Sequence, residues 1–203
     1  METTTQSGII KVMGEQLSED EDIVFSGKIG EVIHAIQPDG RVFERFRRPP
    51  GTRLVIVTPD KKIIMTRERR QETGGIDLRL PGGKVRDSLK EYHELLESGQ
   101  DIVVAAREAA AKEASEEVGV TVSNLNLITK AADGATVEWD LFYFKTTEYQ
   151  ENVEGQKLEQ GEEIDRVELS APEIRQAIAN GEMKEWRSIG VLLGSVLPEL
   201  ETA

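Results

Sequence analysis

The sequence predicts an α+β protein: a mixed sheet layered between helices, with an N-terminal antiparallel strand extension. Three observations carry this. Strand-like apolar runs broken by Pro- and Gly-containing turns fill residues 23–80, and two helical segments follow directly. Strands then resume and two further helices close the chain, so the order is strands, helices, strands, helices, without strict βαβ alternation. With 203 residues, the chain can build one substantial core and an appendage.

Residues 1–21 are polar and acidic and predict a mobile start. IVFSGKIGEVIHAI (23–36) predicts a strand, QPDGR a turn through Pro38 and Gly40, and VFERF its hairpin partner. RLVIVT (53–58), PDKK and IIMTRE (63–68) predict a second hairpin. ETGG (72–75) turns the chain into IDLRL (76–80), which runs into PGGK. DSLKEYHELLESG (87–99) has Leu89, Tyr92, Leu95 and Leu96 at helical spacing, a Ser/Asp start and a Gly stop. The Ala-rich segment 101–119 opens on Asp101 and also ends at a glycine. VTVSNLNLITKAA and ATVEWDLFYFKTT predict strands, 148–163 a long acidic loop, and IDRVELS a last strand. APEIRQAIANGE (171–182) has Pro just inside its start and Gly at its end, and EWRSIGVLLGSVLPEL predicts the final helix.

An apolar content of 38% with 31% charged residues suits a folded globular chain. No apolar run is long enough to span a bilayer, and METTTQSG lacks the basic-then-apolar pattern of a secretory signal. With no cysteine there are no disulfides and no thiolate zinc sites, which fits the cytoplasm. A net charge of −13 argues against general nucleic-acid binding, because phosphates are repelled. The charge is uneven, however. Residues 41–70 hold ten Lys and Arg against three acids. This suits either a solvated strand edge or an anionic ligand nearby, with divalent cations offsetting acids elsewhere.

KEASEEVGV (112–120) places Glu113, Glu116 and Glu117 at i, i+3 and i+4, one face of a helix. Like charges at that spacing repel, and late in a helix they also oppose its dipole. Either they face water or a cation sits among them. LPGGKV (80–85) supplies a glycine pair after a strand, where backbone can approach a ligand closely. Hard divalent cations take oxygen ligands, carboxylates above all.

Together these two motifs resemble the Nudix hydrolase box, G-x5-E-x7-R-E-U-x-E-E-x-G-U, through Gly83, Glu113, Ala114, Glu116, Glu117, Gly119 and Val120. Three departures stand out. Lys112 follows Gly83 by 29 positions, about 15 more than in the pattern, close to the length of the 87–99 helix. Lys112 replaces the box Arg. The first box Glu falls at Val104, with Asp101 the nearest acid.

The resemblance implies Mg²⁺ or Mn²⁺ held by Glu116, Glu117 and the Gly82 carbonyl, with Glu113 as ligand or water-activating group. Over roughly residues 25–195 the chain is similar to the ADP-ribose and nucleoside-diphosphate-sugar pyrophosphatase branch. That branch implies a homodimer built through N-terminal strands and a catalytic Glu from a late acidic loop. Glu159, Glu162 and Glu163 occupy that loop here, and Glu162 or Glu163 is favoured because both abut the next strand. Arg67, Arg69, Arg70 and Lys112 are the expected substrate-binding cations; for the three arginines an exposed strand end is the alternative. Phe43, Phe46 or Tyr149 can stack a base, although core packing suits each Phe better, and Trp139 reads as core. His34 and His93 are isolated and receive no catalytic role. The proline that often follows the box in ADP-ribose-specific members is absent; Gly134–Val137 fill its place.

The expected organisation is a 1–50 strand segment, too small to own a core and expected to dimerise, and a 51–203 catalytic domain with the inserted helix at about 87–99. The expected activity is metal-dependent cleavage of the diphosphate linkage in a nucleotide-derived small molecule. A triphosphate pyrophosphatase and a weakly active nucleotide-binding module are the alternatives. Lys112, the absent first Glu and the inserted helix favour the module; the three intact glutamates oppose it.

Overall fold

The computed structural model describes residues 21–70 and 74–202. Apart from Glu21, the polar segment expected at 1–21 lies outside them, as do Glu72 and Thr73 of the turn expected at 72–75.

β1 (Glu21–Ser26), β2 (Glu31–Ile36) and β3 (Val42–Arg47) form an antiparallel meander. The single strand expected over 23–36 is thus two strands. The Gly27 amide donates to the Gly30 carbonyl at 2.8 Å and reverses the chain. A Cβ on Gly30 would collide with the Phe46 ring, so the second strand can start there only on glycine. Glu31 is fully buried and pairs with Arg47, its register partner, at 2.6 Å.

The main sheet contains β4 (Gly51–Val57), β5 (Ile63–Arg70), β6 (Gly75–Arg79), β8 (Asn126–Ala131), β10 (Leu141–Thr146) and β12 (Ile164–Leu169). Its order is β12-β5-β4-β10-β8, with β6 also paired to β5. β4 and β10 run parallel and the other pairs antiparallel, so the sheet is mixed, as the sequence predicts. Every residue of β4 is buried, because helices cover both faces. Leu54, Ile56, Phe142 and Phe144 face one helical layer, and Val55, Val57, Leu141 and Tyr143 face the other. This is the period of two read across a sheet with no wet side.

Two expected strands are each divided. The 120–132 run breaks at Asn124, which adopts a left-handed φ of +50°. Its first part, β7 (Val120–Ser123), leaves to pair with β11 (Glu148–Glu151) inside the expected acidic loop. The 135–147 run yields β9 (Val137–Glu138), which joins β3, and β10, which joins the main sheet. The chain therefore switches sheets at Trp139 and Asp140, and β9 ties the N-terminal sheet to the rest.

α1 (Leu89–Ser98) lies where the inserted helix is expected. The Ser88 hydroxyl accepts from the Glu91 amide, and Gly99 closes the helix in the left-handed region at φ +72°. Leu89 and Leu95 are buried, Tyr92 is half-buried against the same core, and Leu96 stays partly open. α1 also meets the N-terminal sheet: the Leu89 amide donates to the Lys28 carbonyl, and His93 Nε2 lies 3.4 Å from Glu31.

α2 (Ile102–Glu117) is capped by Asp101 and turns Ala105, Ala106, Ala110 and Ala114 to the sheet. These small side chains let the helix lie close to β4. α3 (Ala171–Ala179) starts with a Ser170–Glu173 capping box and packs on the opposite face. The single final helix expected over 185–200 is α4 (Trp186–Val191), a π-helical turn (Leu192–Val196) and α5 (Leu197–Thr202). Pro198 has no amide to donate back to Gly194, so the regular bonding pattern cannot run through this point. No helix of the described residues is long and apolar enough to cross a membrane.

Candidate active site

The loop after β6 lies along β4. The Leu54 amide donates to the Pro81 carbonyl and the Thr52 amide to the Gly83 carbonyl, both at 2.9 Å. Gly82 has φ +148°, and a Cβ there would collide with the Thr52 carbonyl. A Cβ on Gly83 would fall on the Glu113 carboxylate. The glycine pair thus admits both the neighbouring strand and the acidic end of α2. The Gly82 amide donates to Glu117 Oε2 at 2.7 Å and pins loop to helix.

A cleft of about 920 Å³ opens over this junction. It brings together Gly82, Lys112, Glu113, Glu116, Glu117, Arg70 and Glu162 from the residues the sequence singled out. Arg67 and Arg69 do not reach its wall. β5 alternates, so Glu68 and Arg70 turn inward while Arg67 and Arg69 are exposed. Glu163 is also outside; it pairs with Arg69 at 2.6 Å, both side chains exposed. Lys112 lies at the rim and reaches Glu116 at 3.0 Å one helical turn on.

Glu116 is balanced by Lys112, while Glu113 and Glu117 are held against ionisation. Burial, reinforced by the charges of Glu116 and Glu162, lifts the Glu113 carboxyl to about 7 against the pull of Lys112. Burial, then the charges of Glu113 and Glu68, lifts Glu117 to about 8 despite its bond from Gly82. Among the described residues no three such side chains are already gathered to clasp an ion, because Glu116 is turned to Lys112 and Glu117 to the Gly82 amide. The donor set nonetheless fits a hard divalent cation: it is all oxygen, Glu117 is buried and Glu113 and Glu116 partly so, and their charges repel one another until a cation enters.

This has a measurable consequence. Both carboxyls titrate above the ordinary glutamate value, so their contribution to folding is favourable at low pH and is lost as pH rises through about 7 and about 8. A divalent cation binds the ionised forms. The rise in melting temperature on adding Mg²⁺ should therefore grow from about pH 6 to about pH 9. Calorimetric scans showing a gain that is flat with pH would place the ion elsewhere.

Beneath the cleft lies a layer of buried charge that the sequence reading passed over. Arg53 Nε and Nη2 donate to the two oxygens of Glu185 at 2.8 and 3.0 Å, and its Nη1 donates to the Thr52 and Gly82 carbonyls at 2.9 Å. Arg79 lies 3.3 Å from Asp77 and 3.5 Å from Glu185, and Arg70 donates to Glu68 at 2.7 Å. Burial works against the Glu185 charge, but Arg53, then Arg79 and Ser188, hold its carboxyl down at about 2. The available signal was the presence of Arg53, Asp77 and Arg79 within strands otherwise built of apolar residues. Trp139, expected as core, is half-buried on the cleft wall between two guanidinium groups, Arg48 at 4.4 Å and Arg187 at 4.3 Å.

The family model of the NUDIX domain matches residues 47–187. No curated protein matches the chain. Among solved structures, that of an ADP compounds hydrolase aligns over 88% of this chain and 95% of its own, with a TM-score of 0.61 and 18% identity. At that identity the likeness is one of fold.

Proposed function

The chain belongs to the Nudix family, and from that premise we propose that it hydrolyses the diphosphate linkage of a nucleoside diphosphate derivative of the ADP-ribose or nucleotide-sugar type. The observation that carries this reading is the convergence of Glu113, Glu116 and Glu117 on one cleft beside the Gly82–Gly83 loop, with Arg70 on the same wall. Glu116, Glu117 and the Gly82 carbonyl would hold Mg²⁺ or Mn²⁺, which would supply Lewis-acid polarisation of a phosphoryl oxygen and an activated water. Glu113, whose carboxyl titrates near neutrality, is suited to hold a water proton or to complete the ligand set. Glu162 is the candidate second acid from the late loop, and Arg70 neutralises diphosphate charge. Arg67, Arg69 and Glu163 remain outside this arrangement. The ADP compounds hydrolase sharing the fold supports a nucleoside diphosphate compound over a nucleic acid, as does the net charge of −13.

A panel of ADP-ribose, nucleotide sugars, dinucleoside polyphosphates and triphosphates, each with Mg²⁺ or Mn²⁺, tests the proposal. A nucleoside monophosphate should appear from a diphosphate derivative and disappear with chelator. Binding without turnover across the panel would put a nucleotide-binding module in its place, the reading that the Lys112–Glu116 pair favours.

The proposal extends to a cytoplasmic homodimer. Phe25, Ile36 and Val42 of the N-terminal meander are exposed and share one of its faces by register, apolar surface of the kind that marks an interface. Sedimentation at micromolar concentration should give twice the 22.6 kDa chain mass, and Phe25→Ser with Val42→Ser should return it to one chain. A wild-type monomer overturns the assembly.

A further inference from the structure

The buried layer beneath the cleft joins the C-terminal helix to the glycine loop through an unbroken chain of hydrogen bonds. The Tyr143 hydroxyl is 3.0 Å from Ser188 Oγ, and Ser188 donates to Glu185 Oε2 at 2.5 Å. Glu185 takes both fork nitrogens of Arg53, and the remaining Arg53 nitrogen donates to the Gly82 carbonyl. On its other side Gly82 is tied through its amide to Glu117. The two peptide units that meet at Gly82 are therefore held from opposite sides, one by Arg53 and one by Glu117. The position of the box Arg contributes nothing to this grip, since Lys112 is exposed and bonded to Glu116. Among the described residues, Arg53 is the only cation hydrogen-bonded to the Gly82–Gly83 backbone.

We propose that Glu185 is a positioning residue. Through the bidentate pair with Arg53 it aims the Gly82 carbonyl and fixes the distance from the glycine loop to Glu117. A guanidinium held at two nitrogens cannot rotate about its own axis, so the third nitrogen stands at a set point. Released from Glu185, Arg53 can turn toward Asp77, Glu68 or the cleft carboxylates, and the loop loses its brace. The contact between Arg53 and the loop stands on its own; only the kinetic part of the test rests on the hydrolase reading.

The test uses Glu185→Gln, which keeps size and one acceptor oxygen but loses the charge and the two-oxygen fork, and Ser188→Ala, which removes one bond to Glu185 and leaves every cleft residue in place. In the metal-free protein, the Gly82 amide resonance should shift and its hydrogen exchange should accelerate in both variants, more in Glu185→Gln. Mn²⁺ affinity, read by titration of the free ion's paramagnetic signal, should fall by about tenfold to a hundredfold in Glu185→Gln and less in Ser188→Ala. With a substrate from the panel, kcat should fall while KM changes little. Arg53→Lys should not restore the wild-type values, because a single ammonium cannot form the fork. An unmoved Gly82 amide with unchanged Mn²⁺ affinity in a folded Glu185→Gln protein would overturn the proposal. If no panel substrate is turned over, the amide shift in metal-free protein still decides it. If Glu185→Gln fails to fold, an unmoved Gly82 amide in Ser188→Ala overturns it.

Discussion

Glu117→Gln, and separately Glu113→Gln, should yield folded proteins whose turnover falls by roughly two to four orders of magnitude. The exchange keeps the shape of each side chain and the acceptor that meets the Gly82 amide, but it removes the charge that would hold a cation. The same argument predicts an unusual stability result. Both carboxyls are pushed up, to about 7 and about 8, first by burial, so in metal-free protein above those values each ionised group opposes folding. A neutral Gln imposes no such penalty. The variants should therefore melt at or above the wild-type temperature at alkaline pH without metal, and gain less from Mg²⁺. Loss of turnover with unchanged or higher intrinsic stability separates a charge required for chemistry from a side chain required for packing. Full activity in either variant would remove that carboxylate from the reaction.

The second large effect concerns stability. Glu185→Ala should cost about 3–5 kcal/mol, because it leaves the Arg53 guanidinium buried and without the anion that takes two of its donors. Urea midpoints would show it. Glu163→Ala supplies the contrast: its pair with Arg69 is exposed on both sides, and its loss should change stability by no more than about 1 kcal/mol. Equal destabilisation by the two substitutions would mean that the layer under the cleft holds nothing together.

These two effects also mark what was legible in the sequence. The clustered carboxylates, the glycine loop and α1 announce themselves locally: three acids at helical spacing, two adjacent glycines, a capped amphipathic stretch. Each is decided by residues within a few positions. The divided strands were harder, because a run of β-formers such as 135–147 carries no mark of where it leaves one sheet for another. That break is set by β3 and β4, far earlier in the chain. Arg67 and Arg69 could have been separated from Arg70 by counting in twos along the strand, which puts Glu68 and Arg70 on the face of the buried Thr66 and leaves Arg67 and Arg69 on the other. The charged layer was the least legible part. Arg53 and Glu185 are 132 positions apart, and nothing local to either announces the other. A buried arginine in an apolar strand says only that some distant acid must meet it.

In the proposed reaction, water activated in this cleft attacks a phosphorus of a nucleoside diphosphate derivative. Turnover in ¹⁸O-labelled water with Mg²⁺ tests it most directly, with the products separated and weighed by mass spectrometry. One ¹⁸O should appear in one of the two phosphate-bearing products, a nucleoside monophosphate among them, and the amount of labelled product should fall with turnover when Glu117 is replaced by Gln. Unlabelled phosphate products, or a labelled sugar carbon with the diphosphate intact, would contradict it.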